Sequence, residues 1–183
     1  ETAQWPTGTV TVRNVRISGA RTGIRVQELF DTGTKDVLIE KCAISGANAG
    51  LYMNLSKPCR IVVRDCMLVD NPGKGIEVYM DDSPPQADAT VRNNYFARNG
   101  ANAGAYANNT NIRERMGIVR WNLDKEPGTN IIGGPYLGGN FWDDYTGVDT
   151  DLDGLGDTNL PHRVVASTNP VGDSRPLVGP PPD

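Results

Sequence analysis

A segment of about 27 residues repeats along the first two thirds of the chain, and this repeat constrains the fold more than any other feature of the sequence. Four copies align closely, and a fifth, weaker copy follows them. The apolar residues that anchor the five copies are Val12, Ile39, Val63, Val91 and Val119. Self-similarity at a period of roughly 20 to 50 residues is typical of solenoids, in which each repeat packs only against its neighbours.

In each copy, apolar and polar residues alternate as they do in short β-strands. In the first copy the inward positions are Val12, Val15 and Ile17, so the steps are three residues and then two. A step of two is the period of a strand, and a step of three indicates a polar corner or bulge between two short strands. A glycine then introduces another short strand, as in residues 23–26. Each repeat therefore has at least two short strands separated by Gly and Asn turns.

Short strands, tight corners and this period predict an all-β chain folded as a parallel β-helix of about five short coils, stacked about 4.8 Å apart. The chain lacks the leucine consensus and helical return arm of leucine-rich repeats. A β-sandwich would not repeat a Gly-Ile-x-Val strand at a fixed offset. The open ends of a β-helix need caps. We therefore expect coils over 1–137, a C-terminal cap with an acidic metal loop over 138–178, and a Pro-rich extended terminus over 179–183.

Charge is spread unevenly along the chain. The net charge is −4, and residues 138–183 hold eight Asp and two Arg, so the remainder is slightly basic. Because an overall basic field is absent, we expect no nucleic-acid partner. No run approaches the roughly 18 apolar residues of a membrane helix, so we expect no membrane span. The acidic segment indicates a cation as partner.

A calcium-loop pattern lies within the acidic segment. Carboxylates at loop positions 1, 3 and 5 converge on one hard cation, glycine at position 6 permits the sharp turn, and a carbonyl at position 7 adds an oxygen. The predicted metal ligands are Asp149, Asp151, Asp153, the carbonyl of Leu155, and Asp157. Leu160 stands where an EF-hand has its bidentate Glu, so we expect a further ligand from Asp143, Asp144 or water. Ca²⁺ is the expected cofactor because a flexible loop supplies many oxygens.

Three motifs in the tail carry a family resemblance. They are Gly-Gly-Asn-Phe-Trp-Asp-Asp-Tyr-Thr-Gly at 138–147, Asp-x-Asp-x-Asp-Gly-Leu-Gly-Asp-Thr at 149–158, and Asp-Ser-Arg-Pro-Leu at 173–177. Together with the coils they resemble the NosD-type β-helix family, part of the wider set of carbohydrate-binding and sugar-hydrolase (CASH) β-helix domains. The resemblance implies a right-handed parallel β-helix outside the cell, as in bacterial periplasmic and archaeal surface proteins.

Three cysteines and one histidine limit the available chemistry, since they are too few for a disulfide framework or a multi-His metal site within one chain. Cys42 and Cys66 occupy the same repeat position. They form either a disulfide or metal pair, or a ladder of small buried side chains. Cys59 is an alternative disulfide partner. We interpret His162 as a surface or packing residue rather than a catalytic base.

Exposed strand positions form a column along one face, made of Arg13, Glu40, Arg64, Arg92 and Arg120. The column fits either an anionic glycan groove, with Tyr52 and Tyr106 on another face as stacking platforms, or a solvated face with alternating charges. A pectate-lyase-like enzyme would need a Ca²⁺ site, a basic residue and a long groove. Lys74 with Asp81 and Asp82 is the candidate set for that chemistry.

These features favour a non-enzymatic function. We expect an extracellular or cell-envelope structural or adhesion module, stabilised by Ca²⁺ and self-associating into a homo-oligomer or a polymer such as a sheath, filament or surface layer. The start at Glu1, without Met or signal peptide, fits a mature exported product, and Asn54 and Asn108 begin glycosylation sequons. The alternatives are a carbohydrate-binding module, with glycans as partners, and a polysaccharide lyase or epimerase-like enzyme.

Overall fold

The computed structural model describes residues 8–27, 35–56, 59–80, 88–107, 119–164 and 172–179. Three candidate residues named above, Asp81, Asp82 and Asn108, lie outside these ranges, and so does the side chain of Tyr106. Within the described ranges every regular element is a β-strand. None of these residues belongs to a helix with the length and apolar character needed to cross a membrane.

Three short strands form each of the first four coils. Coil one contains β1 (Thr9–Arg13), β2 (Arg16–Ser18) and β3 (Thr22–Val26), and coil two contains β4 (Lys35–Glu40), β5 (Ala43–Ser45) and β6 (Ala49–Asn54). Coil three contains β7 (Cys59–Arg64), β8 (Met67–Val69) and β9 (Lys74–Met80), and coil four contains β10 (Asp88–Arg92), β11 (Tyr95–Ala97) and β12 (Ala101–Ala107). The repeat predicted at least two strands per coil, and the structure has three.

The chain leaves this pattern after coil four. A partial fifth coil contains β13 (Val119–Arg120) and β16 (Phe141–Trp142), with the antiparallel pair β14 (Glu126–Pro127) and β15 (Tyr136–Leu137) between them. A second antiparallel pair, β17 (His162–Arg163) and β18 (Gly172–Asp173), lies in the tail. Residues beyond 137 therefore still contribute a strand to the solenoid through β16.

Like strands of successive coils stack into three parallel sheets. Sheet 1 has the order β1-β4-β7-β10-β13, sheet 2 the order β16-β11-β8-β5-β2, and sheet 3 the order β12-β9-β6-β3. The first four anchor residues pair in the predicted register, Val12 with Ile39, Ile39 with Val63, and Val63 with Val91. The register predicted for the weaker fifth copy is wrong by two residues, because Val119 pairs with Ala89 where the chain leaves the repeat. This arrangement confirms the predicted all-β parallel β-helix.

The corners explain the three-residue step in the repeat. Between sheets 1 and 2, one residue of each coil has a left-handed backbone: Asn14 (φ 57°), Lys41 (φ 53°), Asp65 (φ 58°) and Asn93 (φ 52°). This conformation is costly for a residue with a side chain, and Asn and Asp tolerate it best. Stacking compensates for the cost because each corner N–H bonds a carbonyl of the next coil, for example Asp65 to Asn93 at 3.0 Å.

The inward side chains form one continuous apolar core. Ile39, Ile44 and Leu51 of coil two are almost fully buried. Their counterparts in coil one are only partly buried, although they pack against the same core. Burial of each such aliphatic side chain contributes about 1.5–3 kcal/mol, so the middle coils supply most of the hydrophobic stabilisation.

A ladder of buried polar side chains follows the first corner up the solenoid. We call it the polar ladder; its members are Cys42, Cys66, Asn94, Asn140 and Asp173. The backbone N–H of each member donates to the side chain of the next, and the distances from Cys42 upward are 3.5, 3.0, 3.1 and 2.7 Å. The polar ladder satisfies buried corner amides that the sheets leave unpaired.

Replacing Asn94 with Ala should lower the free energy of unfolding by about 2–3 kcal/mol, because several buried groups lose partners. The Asn94 side chain accepts from Cys66 N and donates to the carbonyls of Val63 and Arg92, each at 3.0 Å. Denaturant unfolding measures the loss. Asn48→Ala, at an exposed turn position, is the control and should change stability by less than about 0.5 kcal/mol. Equal losses in the two variants would contradict the ladder's role.

Candidate metal centre

Three aspartates of the acidic loop come together as the spacing predicted. One carboxylate oxygen from each of Asp149, Asp151 and Asp153 lies within 4.8 Å of the others. We call this group the aspartate triad. Gly154 follows it with a φ of 87°, the left-handed turn for which position 6 of the loop requires glycine. The amide of Gly154 donates to Asp149 at 2.6 Å and that of Leu155 to Asp153 at 2.7 Å, which orients both carboxylates.

The loop is anchored to the end of the solenoid by its second half. Leu155 is buried and forms a β-bridge with Leu177, which in turn bridges Phe141 of β16. The amide of Gly156 donates to the carbonyl of Pro176 at 2.8 Å. The apolar half of the loop therefore packs against the last coil while the aspartate triad projects from it.

A lysine that sequence reasoning missed provides a positive charge beside the aspartate triad. The ammonium of Lys125 forms an ion pair with Asp153 and lies 4.3 Å from the ring centre of Tyr136. The hydrogen bond to Asp153 raises the pKa of Lys125. Lys125 therefore offsets part of the repulsion among three neighbouring carboxylates. It lies 28 residues before its partner, so no local motif signals it.

The other carboxylates predicted as ligands accept hydrogen bonds from groups outside the aspartate triad, although Asp157 and Leu155 line the same cavity as Asp153. Asp157 accepts hydrogen bonds from the amide and hydroxyl of Thr150 at 2.7 and 2.5 Å, which lowers its pKa. Asp143 accepts from the amide of Arg98 at 2.6 Å. Asp144 accepts from Asn102 at 2.7 Å. Within the described ranges, the aspartate triad is the one carboxylate, histidine or cysteine group with metal-site spacing.

His162 packs within the cap, as the packing interpretation expected. Its ring centre lies 5.2 Å from that of Trp142 and 5.7 Å from that of Tyr145. Its Nε2 lies 3.4 Å from Asp144 Oδ1. A hydrogen bond from the imidazole lowers the pKa of Asp144. His162 thus helps to hold the tail against the last coil.

Asp173 is the buried end of the polar ladder. Its Oδ2 accepts from Asn140 N at 2.7 Å and Trp142 Nε1 at 2.9 Å, and its Oδ1 accepts from Arg175 N at 2.9 Å. The residue is fully inaccessible, and burial raises its pKa to about 6. Gly139 approaches so closely that an added Cβ would lie 1.9 Å from the carboxylate. The motif at 173–177 quoted above thus contains the residue that joins the tail to the coils.

The buried Asp173 should make the cap less stable as pH rises. Its folded-state pKa of about 6 lies above the ordinary 3.8, so its stabilising effect is complete below about pH 4 and is lost as pH rises through 6. The expected loss is about 3 kcal/mol. Thermal unfolding of the wild type and Asp173→Asn across this range, in chelator, measures it. The Asn variant should lack this component, and parallel pH profiles of the two proteins would contradict the assignment.

The three thiols are free and buried. Burial raises the pKa of Cys59 to about 11 and that of Cys66 to about 12. Cys42 and Cys66 are stacked on consecutive coils, where the amide of Cys42 donates to Cys66 Sγ at 3.5 Å. The structure therefore places this pair in a ladder of small buried side chains, and Cys59 lies at the start of β7.

The predicted column on sheet 1 contains Arg13, Glu40, Arg64 and Arg92 at matching register positions, and its basic side chains are partly neutralised by acidic ones. The expectation that Arg120 continues the column is wrong, because Arg120 pairs in register with Thr90. Glu40, 2% exposed, lies between Arg13 and Arg64 and forms an ion pair with each. Arg120 likewise pairs with Asp88 at 2.7 Å. These pairs support the interpretation of a solvated face with alternating charges.

Aromatic side chains occur on sheet 3. The rings of Tyr52 and Tyr79 are stacked with centres 6.5 Å apart, and the Arg25 guanidinium lies 4.6 Å from the centre of the Tyr52 ring. Lys74 forms an ion pair with Glu77 on the same sheet. The sequon residue Asn54 ends β6, and its side chain accepts from the amide of Ser56 at 3.0 Å.

Comparison with known families agrees with this architecture. Residues 3–96, just over half of the chain, match the family described as right handed beta helix region. The chain belongs to the right-handed β-helix family. Residues 84–147 match NosD, described as a periplasmic copper-binding protein, which confirms the resemblance to the NosD type. No curated protein and no solved structure gives a significant match. The periplasmic description of NosD supports a location in the cell envelope or outside the cell.

The copper named in the NosD description raises the question of which residues fit that metal. The aspartate triad offers hard oxygen donors, which suit Ca²⁺, Mg²⁺ or Mn²⁺ better than copper. Soft thiolate donors select Cu(I). Among the described residues, two thiols lie one coil apart, those of Cys42 and Cys66. The aspartate triad is therefore a group of hard oxygen donors, and the thiols are buried side chains of the coils.

Proposed function

We propose that this β-helix is a non-enzymatic structural module of the cell envelope that associates end to end and whose cap binds Ca²⁺. The observation that carries the proposal is the difference between the two ends of the solenoid. At the C-terminal end Leu177 bridges β16, and Asp173 fills the top of the polar ladder. At the other end β1, β2 and β3 each lie at the edge of their sheet.

The open end has the properties of an association surface. The inward residues Val12, Val15, Ile17 and Ile24 are only partly buried. Among the described residues no strand pairs with the outer side of β1, β2 or β3, and such strand edges template pairing with another chain. A coil stacked on this end would complete the burial of these side chains.

Charge favours head-to-tail over head-to-head association. Residues 8–27, which form coil one, contain four Arg and no acidic residue, whereas residues 138–183 contain eight Asp and two Arg. Two coil-one ends facing each other would bring like charges together, while a basic end facing an acidic end is attractive. A heterologous contact of this kind repeats and generates a filament.

Calcium binding at the aspartate triad would stabilise the closed end. Three carboxylates with one Lys partner leave negative charge that a divalent cation neutralises. Because Leu155 and Gly156 connect the loop to the tail segment at 176–178, an ion that orders the loop also holds the cap on the coil end.

A carbohydrate-binding function is the second candidate, supported by sheet 3. The stacked Tyr52 and Tyr79 and the adjacent Arg25 are side chains of the kind that contact sugar rings. The candidate residues for a lyase are Lys74, Asp81 and Asp82. Lys74 forms an ion pair with Glu77, and the two aspartates lie outside the described ranges. We therefore rank glycan binding above catalysis as the alternative.

Calcium should raise the thermal stability of the protein. At a free Ca²⁺ concentration 100 times the dissociation constant, binding to the folded state alone adds about 2.7 kcal/mol to the free energy of unfolding. Asp151→Asn should reduce this gain because it removes one charge from the aspartate triad. Asp36→Asn, an exposed carboxylate on sheet 1, should leave it unchanged. A calcium effect that is the same in all three proteins would contradict the assignment.

Association should depend on the arginines of coil one and on salt. Analytical ultracentrifugation should detect concentration-dependent polymers that dissociate near 1 M salt, where the screening length is about 3 Å. Arg16→Glu with Arg21→Glu, both at exposed positions, should abolish association. Arg60→Glu, an exposed reversal on coil three, should preserve it. A wild type that stays monomeric at low salt would overturn the association proposal.

A further inference from the structure

We propose that the outward face of sheet 2 in coils one to three is the docking site for the acidic loop of a second copy of this chain, with Leu152 as the apolar contact. This docking rests on the head-to-tail association proposed above and names the two surfaces that meet in it. The observations that carry it are an exposed leucine, an open groove of opposite charge, and the position of both on one sheet.

Leu152 is the most exposed large hydrophobic side chain among the described residues, with an exposed fraction of 87%. It lies in the acidic loop, residues 146–158, between Asp151 and Asp153. Its backbone is left-handed, with a φ of 62°, a conformation that is costly for leucine and that asparagine tolerates better. Because neither burial nor the backbone explains a leucine at this position, we infer that its side chain contacts another molecule.

An open groove crosses the outward face of sheet 2 in coils one to three, and we call it the sheet-2 groove. The side chains that face it are those of Arg16, Ser18, Ala43, Ser45, Met67 and Val69. Its floor consists of small side chains, and Met67, 38% exposed, adds an apolar wall. On the next coil the same face is closed, since Tyr95 and Ala97 are buried. The sheet-2 groove is therefore the open part of this face, with room for an apolar side chain.

The rim of the sheet-2 groove is basic, and the acidic loop complements it. Arg16 lines the groove, and Lys41 lines the adjoining hollow at the first corner. Asp65 of that hollow already pairs with Arg64 at 3.9 Å. Residues 146–158 contain four Asp and no Lys or Arg, so the loop stays negative even when one Ca²⁺ and the lysine described above are counted. Attraction between the two surfaces therefore persists when calcium is bound.

The acidic loop and the sheet-2 groove lie at opposite ends of the same sheet. Sheet 2 begins with β2, which contains Arg16, and ends with β16. Leu177 bridges Phe141 of β16, and Leu155 bridges Leu177, so the acidic loop continues the sheet beyond the last coil.

A head-to-tail contact that keeps sheet 2 in line therefore brings the loop to the groove. The β2 strand of the second copy would follow the bridge between Leu155 and Leu177. Leu152 precedes Leu155 by three residues, which span at most about 10 Å, or about two strand spacings. Its side chain therefore reaches the first two coils of the second copy, where the sheet-2 groove begins.

Truncation of the leucine side chain should weaken association. Sedimentation velocity of the full chain, at low salt and saturating Ca²⁺, should give Leu152→Ala a dissociation constant about 10- to 100-fold above that of the wild type, because a buried leucine contact is lost. Val148→Ala is the matched control, since Val148 is 54% exposed in the same loop and should leave the constant unchanged. Wild-type association of Leu152→Ala, or an equal loss in Val148→Ala, would contradict the docking.

Calorimetry shows whether the loop itself is intact in these variants. Calcium affinity should be the same in the wild type, Leu152→Ala and Val148→Ala, because neither side chain has an oxygen to offer. Leu152→Asn takes the place of the alanine variant if that one binds calcium less tightly, since asparagine suits the left-handed backbone. It should show the same loss of association.

A mixture of two variants tests whether loop and groove pair with each other. Ala43→Glu places an acidic side chain on the floor of the sheet-2 groove, beside its register partner Arg16, and should prevent association. This variant keeps an intact loop, and Leu152→Ala keeps an intact groove. At a concentration where each alone is monomeric, an equimolar mixture should form a one-to-one dimer and no polymer. A mixture that stays monomeric would refute the pairing.

The outcomes separate this docking from the association on which it rests. A wild type that is monomeric at low salt overturns both. Polymers that persist in Leu152→Ala and Ala43→Glu overturn the docking alone. Calcium-dependent sedimentation with anionic phospholipid vesicles, lost in Leu152→Ala while polymers persist, would assign Leu152 to a lipid surface and also overturn the docking.

Discussion

Backbone hydrogen bonding between coils in register is the constraint on which the rest of the structure depends. Each coil must turn between sheets while its amides keep partners above and below. The first corner meets this requirement with a left-handed residue such as Asp65, whose amide bonds the next coil, and with the polar ladder beside it. Because a buried amide without a partner costs about 1–3 kcal/mol, the same device recurs at every rung.

The cap extends the same hydrogen-bonding scheme to the end of the solenoid. Asn140 occupies the next ladder rung although its segment no longer belongs to a complete repeat, and Asp173 follows it from a distant part of the tail. Trp142 stacks on Phe96 with ring centres 4.4 Å apart and donates to the same carboxylate. The tail therefore acts as a terminal coil assembled from separate segments of the chain.

The aspartate triad and the stacked thiols differ in their side-chain chemistry and in how the fold brings their members together. The aspartate triad is local, since its members are separated by single residues in one loop, and it presents hard oxygens at the surface. The thiols of Cys42 and Cys66 are brought together only by stacking and lie in the core.

The sequence by itself determined the parallel β-helix, the register of its first four coils and the grouping of the aspartate triad. The fold and its register follow from the repeat, and the aspartate triad follows from the spacing of residues within one loop, and both patterns are visible in the sequence. The tertiary structure decided the rest: Lys125 beside Asp153, the burial of Asp173 under Asn140, and the hydrogen bonds that Asp157 accepts from Thr150. The contacts of Lys125 with Asp153 and of Asn140 with Asp173 join segments about 30 residues apart. The contact of Asp157 depends on which neighbouring group donates a hydrogen bond to its carboxylate. Such choices are made by packing against the end of the solenoid, where the repeat no longer applies.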